Sequence, residues 1–386
     1  MATDVVIVSA TRTPIATSYK GSLTQVDAFE LARTAISAAV ERSGIPVDQI
    51  EDMGVGESYQ GGGNIGRNVA VRLGMNNVPG VATQRWCASG MAGVQWIAAN
   101  ISAGMIDVGI GAGTESMSTA PGGSKPGPDG APGFWLSPAN EPTEMAPPLN
   151  MALTVGDNTS RLAGISREDA DAWAFESHRR AIQAIDEGRF DNELVPVTLP
   201  DGSLFTTDEH PRRNGSLEKL ASLSVLNPNL DWATTTAGNA SGLNDAAAAL
   251  VLVSRDYAQA HGLKPLAIVR GWASAALAPE ETGIAPQHAL PKALAKAGIS
   301  AKDLDSVEIN EAFASVAVAF QRAMGLDHDI VNVNGSGCSL GHPIGCTGAR
   351  MIVTMANELI RTDGHWGAVA MCAAGGMGSA TIIERV

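Results

Sequence analysis

Cys87 is followed at once by small residues, Ala88, Ser89 and Gly90, and then by an apolar helical pattern through Met91, Val94, Trp96, Ile97 and Ala98 that stops at Gly104. A thiol at a helix N-terminus meets unpaired backbone N–H groups and the positive end of the helix dipole. Both favour the thiolate, the nucleophilic form of cysteine. No Asp or Glu stands in the first turn to oppose it. The same residue in a core would be an inert small hydrophobe. A second thiol, Cys372, lies where the apolar run Val369-Ala370-Met371 enters the glycines Gly375 and Gly376, and strand ends are where α/β proteins place reactive groups. His342 alone of the seven histidines sits in a glycine-rich run, Gly341-His342-Pro343-Ile344-Gly345. An imidazole beside a thiol activates it. Asn310 follows the strand-like residues 307–309, and an amide there can polarise a carbonyl or position a water. Glu311 is a further candidate base, although its counterpart Glu57 in the repeat described below argues for a structural role.

The elements that must position these groups come from a chain of 386 residues, enough for two or three domains. Apolar residues make up 45% and charged residues 17%, with a formal net charge of −14. That balance describes a folded globular protein and argues against nucleic acid or an anionic membrane as partner. No signal peptide precedes the first strand, and no apolar run reaches membrane-spanning length, so a cytoplasmic protein is expected. The four cysteines, Cys87, Cys338, Cys346 and Cys372, form no CxxC pairs. Neither a zinc site nor a disulfide framework is indicated, and free thiols are expected.

Residues 4–9 read as a buried strand, 27–43 as a helix ended by Gly44, and 50–57 as a second strand. The loop Gln60-Gly61-Gly62-Gly63-Asn64-Ile65-Gly66 matches GxGxxG, but it comes late in its unit and lacks the acidic residue of a dinucleotide site. It reads as a glycine-rich turn. A short helix is expected over 68–73, a strand over 80–83 and another over 107–112. Residues 120–148 are rich in Pro and Gly without periodicity, an excursion of the kind that usually carries function. Ser166 and Asp169 open a strong helix that stops at Gly188. Residues 208–229 read as loop, and the apolar run 246–253 returns to a buried strand. Pro343 suits a first helical turn, with the helix running to residue 359.

The second half repeats the first. Residues 44–57 align without gaps on 298–311, with Gly44 on Gly298, Ile45 on Ile299 and Glu57 on Glu311. At slightly larger offsets Cys87 falls on His342, Gly104 on Gly364 and Met117 on Met377. Val6-Ile7-Val8 has its counterpart in Ala267-Ile268-Val269. Two copies of one α/β unit are expected, and a pseudo-twofold between them would bring Cys87 and His342 together.

Four blocks, Cys87-Ala88-Ser89-Gly90, Asn310-Glu311-Ala312-Phe313, Gly341-His342-Pro343 and Cys372-Ala373-Ala374-Gly375-Gly376-Met377-Gly378, resemble those of the thiolases, the acetyl-CoA acetyltransferase and 3-ketoacyl-CoA thiolase family. Ser9-Ala10-Thr11-Arg12-Thr13-Pro14, Gly113-Thr114-Glu115-Ser116-Met117 and the block from Ala237 to Asp245 add to the likeness. The resemblance spans nearly the whole chain. It implies an α/β thiolase fold: two βαβαβαββ halves related by pseudo-twofold symmetry, layered αβαβα, with an inserted loop domain. The halves would be 1–118 with 244–264, and 265–386; the loop domain, 119–243, would bind CoA.

The resemblance also implies roles. Cys87 would carry the acyl group as a thioester, and His342 would take its proton. Cys372 would deprotonate the α-carbon in condensation or protonate the leaving carbanion in thiolysis. Asn310, through a water, and His342 would form one oxyanion site, and the backbone N–H groups of Cys87 and Ala374 the other. Arg212 would face the nucleotide, Ser241 and Ala237 the pantetheine, and Met151 and Phe313 the acyl group. CoA and acyl-CoA would be substrates, with no permanently bound cofactor and no metal, in a homodimer or homotetramer. The chain departs from the family pattern at Ala374, usually glycine, where a positive φ would be strained. It departs also at Asn150, commonly histidine, and at Thr154-Val155-Gly156-Asp157-Asn158, where Ala-Glu-Asn is usual. Cys338 and Cys346 read as bystanders. The alternatives are a ketoacyl-synthase-like condensing enzyme, which needs two histidines where this chain offers His342 and Cys372, and a non-catalytic acyl-CoA-binding homologue.

Overall fold

The computed structural model describes residues 3–126 and 131–386. The first two residues and part of the proline-rich excursion, 127–130, lie outside them. The chain opens on β1 (Val5–Arg12), buried along its length, and passes through β2 (Ala16–Thr17) into α1 (Ala28–Ser43). The Asp27 carboxylate accepts the Glu30 N–H as the helix's N-cap rather than its first residue, and Gly44 ends the helix at φ +69° as the sequence indicates. Then come β3 (Asp52–Gly56), α2 (Ile65–Arg72), β4 (Val81–Thr83), α3 (Ser89–Ser102) and β5 (Val108–Ser116). α2 begins at Ile65 rather than at residue 68, because the Asn64 side chain caps it by accepting the Arg67 N–H.

A long excursion separates β5 from its neighbour in the sheet, β10 (Asn244–Ser254). Residues 120–148 are not structureless: β6 (Gly123–Pro126) and β7 (Pro132–Trp135) pair antiparallel. Strands of four residues among prolines leave no readable alternation. A six-residue π-helical turn, Ala152–Asp157, leads into α4 (Asn158–Ala163) and then α5 (Arg167–Asp186). α5 carries the expected capping box between Ser166 and Asp169 and buries Ala170, Trp173, Ala174, Ser177 and Ala181. The pair β8 (Val197–Thr198) and β9 (Leu204–Phe205) follows, with α6 (Leu217–Ala221) inside the stretch read as loop. Arg12 ties this excursion to β1. It donates to Glu193 at 2.5 Å and twice to Asp208 at 2.8 Å, all three side chains fully buried.

After β10 come α7 (Arg255–Ala260), β11 (Ala267–Ala276), α8 (Pro286–Ala297), β12 (Ser306–Ile309), α9 (Ala314–Met324), α10 (Thr347–Thr362), β13 (Trp366–Ala373) and β14 (Met377–Arg385). The main sheet runs β12-β13-β14-β11-β1-β10-β5-β3-β4. Its centre is the antiparallel pair β1 and β11, with Val6 opposite Ile268. Outward from that pair, β10 matches β14, β5 matches β13 and β3 matches β12, which realises the repeat as a pseudo-twofold. Gly44 and Gly298 are both left-handed, at φ +69° and +75°. The alignment slips further on: the left-handed residue after α3 is Gly104, but after α10 it is Asp363, not Gly364. α10 also starts later than Pro343, whose carbonyl accepts the Thr347 N–H at 2.9 Å in the turn before it.

α1 covers one end of the sheet and α8 the other, while α3 and α10 pack together between them, giving the layers αβαβα. The central core holds Met91, Val94, Ile97, Met351, Ile352 and Met355. The two helices cross at paired glycines. A Cβ on Gly90 would stand 2.7 Å from Gly345 O, and one on Gly348 would stand 2.4 Å from Met91 N. Only hydrogen fits at either position, and the contact draws the N-terminal ends of α3 and α10 together.

Candidate active site

Where those helix ends meet, a cavity of about 170 Å³ opens, lined by Cys87, His342 and Cys372 together with Met151, Ser241 and Phe313. The pairing expected from the repeat is therefore present. Cys87 follows Trp86, whose φ is +48°, a left-handed conformation unusual for an aromatic residue. Ser89 holds the turn: its Oγ donates to Trp86 O at 2.7 Å and accepts the Arg85 N–H at 2.9 Å. The Tyr59 ring packs on Trp86, centroids 5.7 Å apart.

Burial pushes the Cys87 thiol up to about 11, against the opposing pull of the Ala374 N–H and its own N–H, both hydrogen-bonded to the sulfur. The helix end alone therefore does not set the state of this thiol. Cys87 is partly buried, but what it faces is an apolar cavity, and there desolvation outweighs the helix end and both donors.

His342 sits in the turn before α10. Its N–H donates to Asn244 Oδ1 at 2.9 Å, and Gly341 before it has φ +104°, where a Cβ would lie 2.5 Å from Asn244 Cγ. His342 Nδ1 lies 2.6 Å from Thr347 Oγ1, whose own hydroxyl donates to Pro343 O at 2.8 Å. Thr347 therefore accepts a hydrogen bond from Nδ1–H, and Nε2 is left as the free base. Burial, with the nearby Arg350 charge, pushes the imidazole down to about 3. Cys87 and His342 are consequently a neutral pair near pH 7.

Asn310, just past β12, is fully buried, with Nδ2 3.4 Å from His342 Nε2. Gly337 makes room for it, since a Cβ there would lie 2.6 Å from Asn310 Oδ1. Cys372, near the end of β13, is 2% exposed. Burial drives its thiol far above the ordinary cysteine range, and the charge of Cys87, which lines the same cavity, adds to this. Ala374 is not among the positive-φ residues; Gly375 and Gly376 are, at +85° and +83°. The strain foreseen at Ala374 is absent because the turn bends one residue later.

Glu311 takes no place in the cavity. It accepts from Trp173 Nε1, Ser177 Oγ, Asn332 Nδ2 and the Cys338 N–H, and is a buried brace. Cys338 and Cys346 are buried as well. Asn150 spans from the Leu153 N–H to Asn227. Arg212 lies apart, in a second cleft of about 770 Å³ with Arg213, Ser216 and Lys219, and its N–H donates to His178 Nδ1 at 3.1 Å. Ala237 is exposed and does not line the Cys87 cavity. The residue reading missed Asn244 and Thr347, which orient His342, and Thr282, which accepts the Gly376 N–H at 2.8 Å and lines the cavity. It also missed Val155 in the cavity wall. Thr347 was findable, being a hydroxyl in the same glycine-rich run as His342.

A thiol, a neutral imidazole, a second thiol and converging N–H donors suit transfer of an acyl group through a thioester, with an oxyanion stabilised on the way. Among the described residues no group of three or more His, Cys, Asp or Glu could hold a metal ion, and no helix is long and apolar enough to cross a membrane. Residues 5–256 match the family described as "Thiolase, N-terminal domain", and residues 263–385 match "Thiolase, C-terminal domain". The beta-ketothiolase BktB of Cupriavidus necator is 40% identical over 400 residues, covering all of both chains. An acetyl-CoA acetyltransferase from the same organism is 39% identical, over 99% of this chain and all of its own. The crystal structure of human mitochondrial 3-ketoacyl-CoA thiolase in complex with CoA superposes with a TM-score of 0.89 at 32% identity, covering 100% of this chain and 99% of that one.

Proposed function

The chain belongs to the thiolase family, and on that premise we propose that Cys87 is its acyl-carrying nucleophile. The reaction is reversible acyl transfer between 3-oxoacyl-CoA and CoA or acetyl-CoA, by thiolysis or by Claisen condensation. The observation that carries the assignment is the shared cavity of Cys87, His342 and Cys372, with the Ala374 and Cys87 N–H groups at the nucleophile's sulfur.

As Cys87 Sγ attacks the thioester carbonyl, its proton passes to His342 Nε2, and CoA leaves as its thiol by taking that proton. The carbonyl oxygen gathers charge against the two backbone N–H groups. A neutral pair suits this step, because charge develops only as the bond forms and need not be held in a dry cavity beforehand. In condensation Cys372 first gives its proton to His342 Nε2, and the thiolate so formed removes the α-proton of acetyl-CoA. The enolate oxygen is met by Asn310 and His342. Its carbon displaces the Cys87 sulfur from the acyl carbonyl, and that sulfur takes its proton back from His342. Thiolysis runs these steps backwards.

The second cleft suits the nucleotide end of CoA. Arg213 there is paired with Asp186, whereas Arg212 has no ion-pair partner among the described residues, so a phosphate can take it. Ser241 and Ala237 would follow the pantetheine, within a CoA-binding loop domain over 119–243. Family likeness supports CoA as substrate rather than a resident cofactor, and a homodimer or homotetramer. The net charge of −14 supports an enzyme without nucleic-acid partners, and the four free cysteines support a cytoplasmic one. Brief exposure to acetoacetyl-CoA should add an acetyl group to the Cys87 peptide by mass spectrometry; an unmodified peptide refutes the assignment.

A further inference from the structure

Residues Ala152–Asp157 form a π-helical turn: the Asn158 N–H reaches back to Leu153 O, five residues earlier. Such a turn holds one residue more than an α-helical turn, and it occurs mostly as a local device near functional sites. Here it forms one wall of the Cys87 cavity, and the residue it presents is Val155, 4% exposed and beside Met151. We infer that Val155, fixed by this turn, limits the acyl group to short chains. The inference rests on the acyl-transfer reading above and names the substrate class of that site.

The wall cannot retreat. Val155 O accepts Thr159 Oγ1 at 2.6 Å, and Gly156 O accepts Ser315 Oγ at 2.9 Å. Asp157 takes the Thr234 and Thr235 N–H groups at 2.9 and 2.8 Å and Asn227 Nδ2 at 2.6 Å. Gly156 is pressed so closely that a Cβ would stand 2.4 Å from Thr235 Oγ1 and 2.9 Å from Phe313 Cδ1. With its backbone held on three sides, this turn can change the depth of the recess only through the side chain at 155.

The volume fixes the class. A dry cavity of about 150 Å³ takes one benzene, and this one is about 170 Å³. An acetoacetyl group, itself six heavy atoms, therefore nearly fills it, and a longer chain meets Val155.

The test compares kcat/KM for thiolysis of 3-oxooctanoyl-CoA with that of acetoacetyl-CoA in the unchanged protein, Val155→Ala and Val155→Ile. The unchanged protein should favour acetoacetyl-CoA. Val155→Ala should raise the long-to-short ratio by about tenfold or more, the worth of one or two methyl groups in an apolar pocket. Val155→Ile should lower it, and this variant decides the matter if the alanine variant does not fold. An unchanged protein that turns over acetoacetyl-CoA while neither variant moves the ratio overturns the role of Val155 alone. An unchanged protein that cleaves neither substrate overturns the thiolase reading itself.

Discussion

Thr347 Oγ1 accepts a hydrogen bond from His342 Nδ1 at 2.6 Å and donates its own to Pro343 O at 2.8 Å. This chain fixes the imidazole tautomer, since the bond made by one ring nitrogen decides the state of the other. Thr347→Val keeps the shape and removes the acceptor. Acylation of Cys87 should then slow by about 10- to 100-fold, part of what a positioned base supplies, while Thr347→Ser should restore most of it. Single-turnover acylation followed by mass spectrometry reads both.

The neutral pair predicts a pH profile. With His342 held down to about 3 and Cys87 raised to about 11, alkylation of Cys87 by iodoacetamide should climb steadily with pH toward an inflection near 11. A preformed thiolate–imidazolium pair would instead show a plateau in the acid range. The folded thiol sits above its ordinary value of 9.0, so its contribution to stability is complete below that value and is lost as pH rises through about 11. The melting temperature of the unchanged protein should fall relative to Cys87→Ala over that interval.

Cys372→Ala separates the two half-reactions. The variant should still take an acetyl group on Cys87 from acetyl-CoA, but exchange of the acetyl-CoA methyl protons with D2O should be lost. NMR of the recovered acetyl-CoA reads the exchange; exchange at the normal rate would assign the base elsewhere.

Arg12 is a matter of stability rather than chemistry. Arg12→Leu leaves Glu193 and Asp208 buried without their cation, which should cost about 3–5 kcal/mol and lower the urea midpoint at an unchanged slope. Replacing both carboxylates by leucine in the same chain should recover much of that loss.

The legible part of the molecule was local or repeated. Gly44 and the Ser166–Asp169 box act within one turn of chain, so the helix end and the cap stood where the residue types placed them. Residues 44–57 and 298–311 disclosed the twofold because the same turn is built twice. Cys87, His342 and Cys372 were legible through motifs. The protonation state of Cys87 was not, because it depends on how much of the sulfur's surroundings is apolar, which sequence spacing does not carry. The hairpin at β6 and β7 was hidden by its prolines, and the start of α10 by Pro343, which closes a turn ahead of the helix. Val155 and its π-turn were invisible as a wall, although the unusual block around them marked the place.

β10 lies in the sheet between β1 and β5, yet it is made long after both. Ribosomes add about 5–20 residues per second, so the distance from Ser116 to Ser254 keeps β5 waiting for its second partner for roughly 7–28 s. During that interval β1 and β5, buried along their lengths in the finished protein, have apolar faces and unpaired edges exposed to the cell. Holding chaperones should therefore crosslink to nascent chains stalled before residue 244 far more than to chains stalled well past residue 254, whose middle strand has emerged.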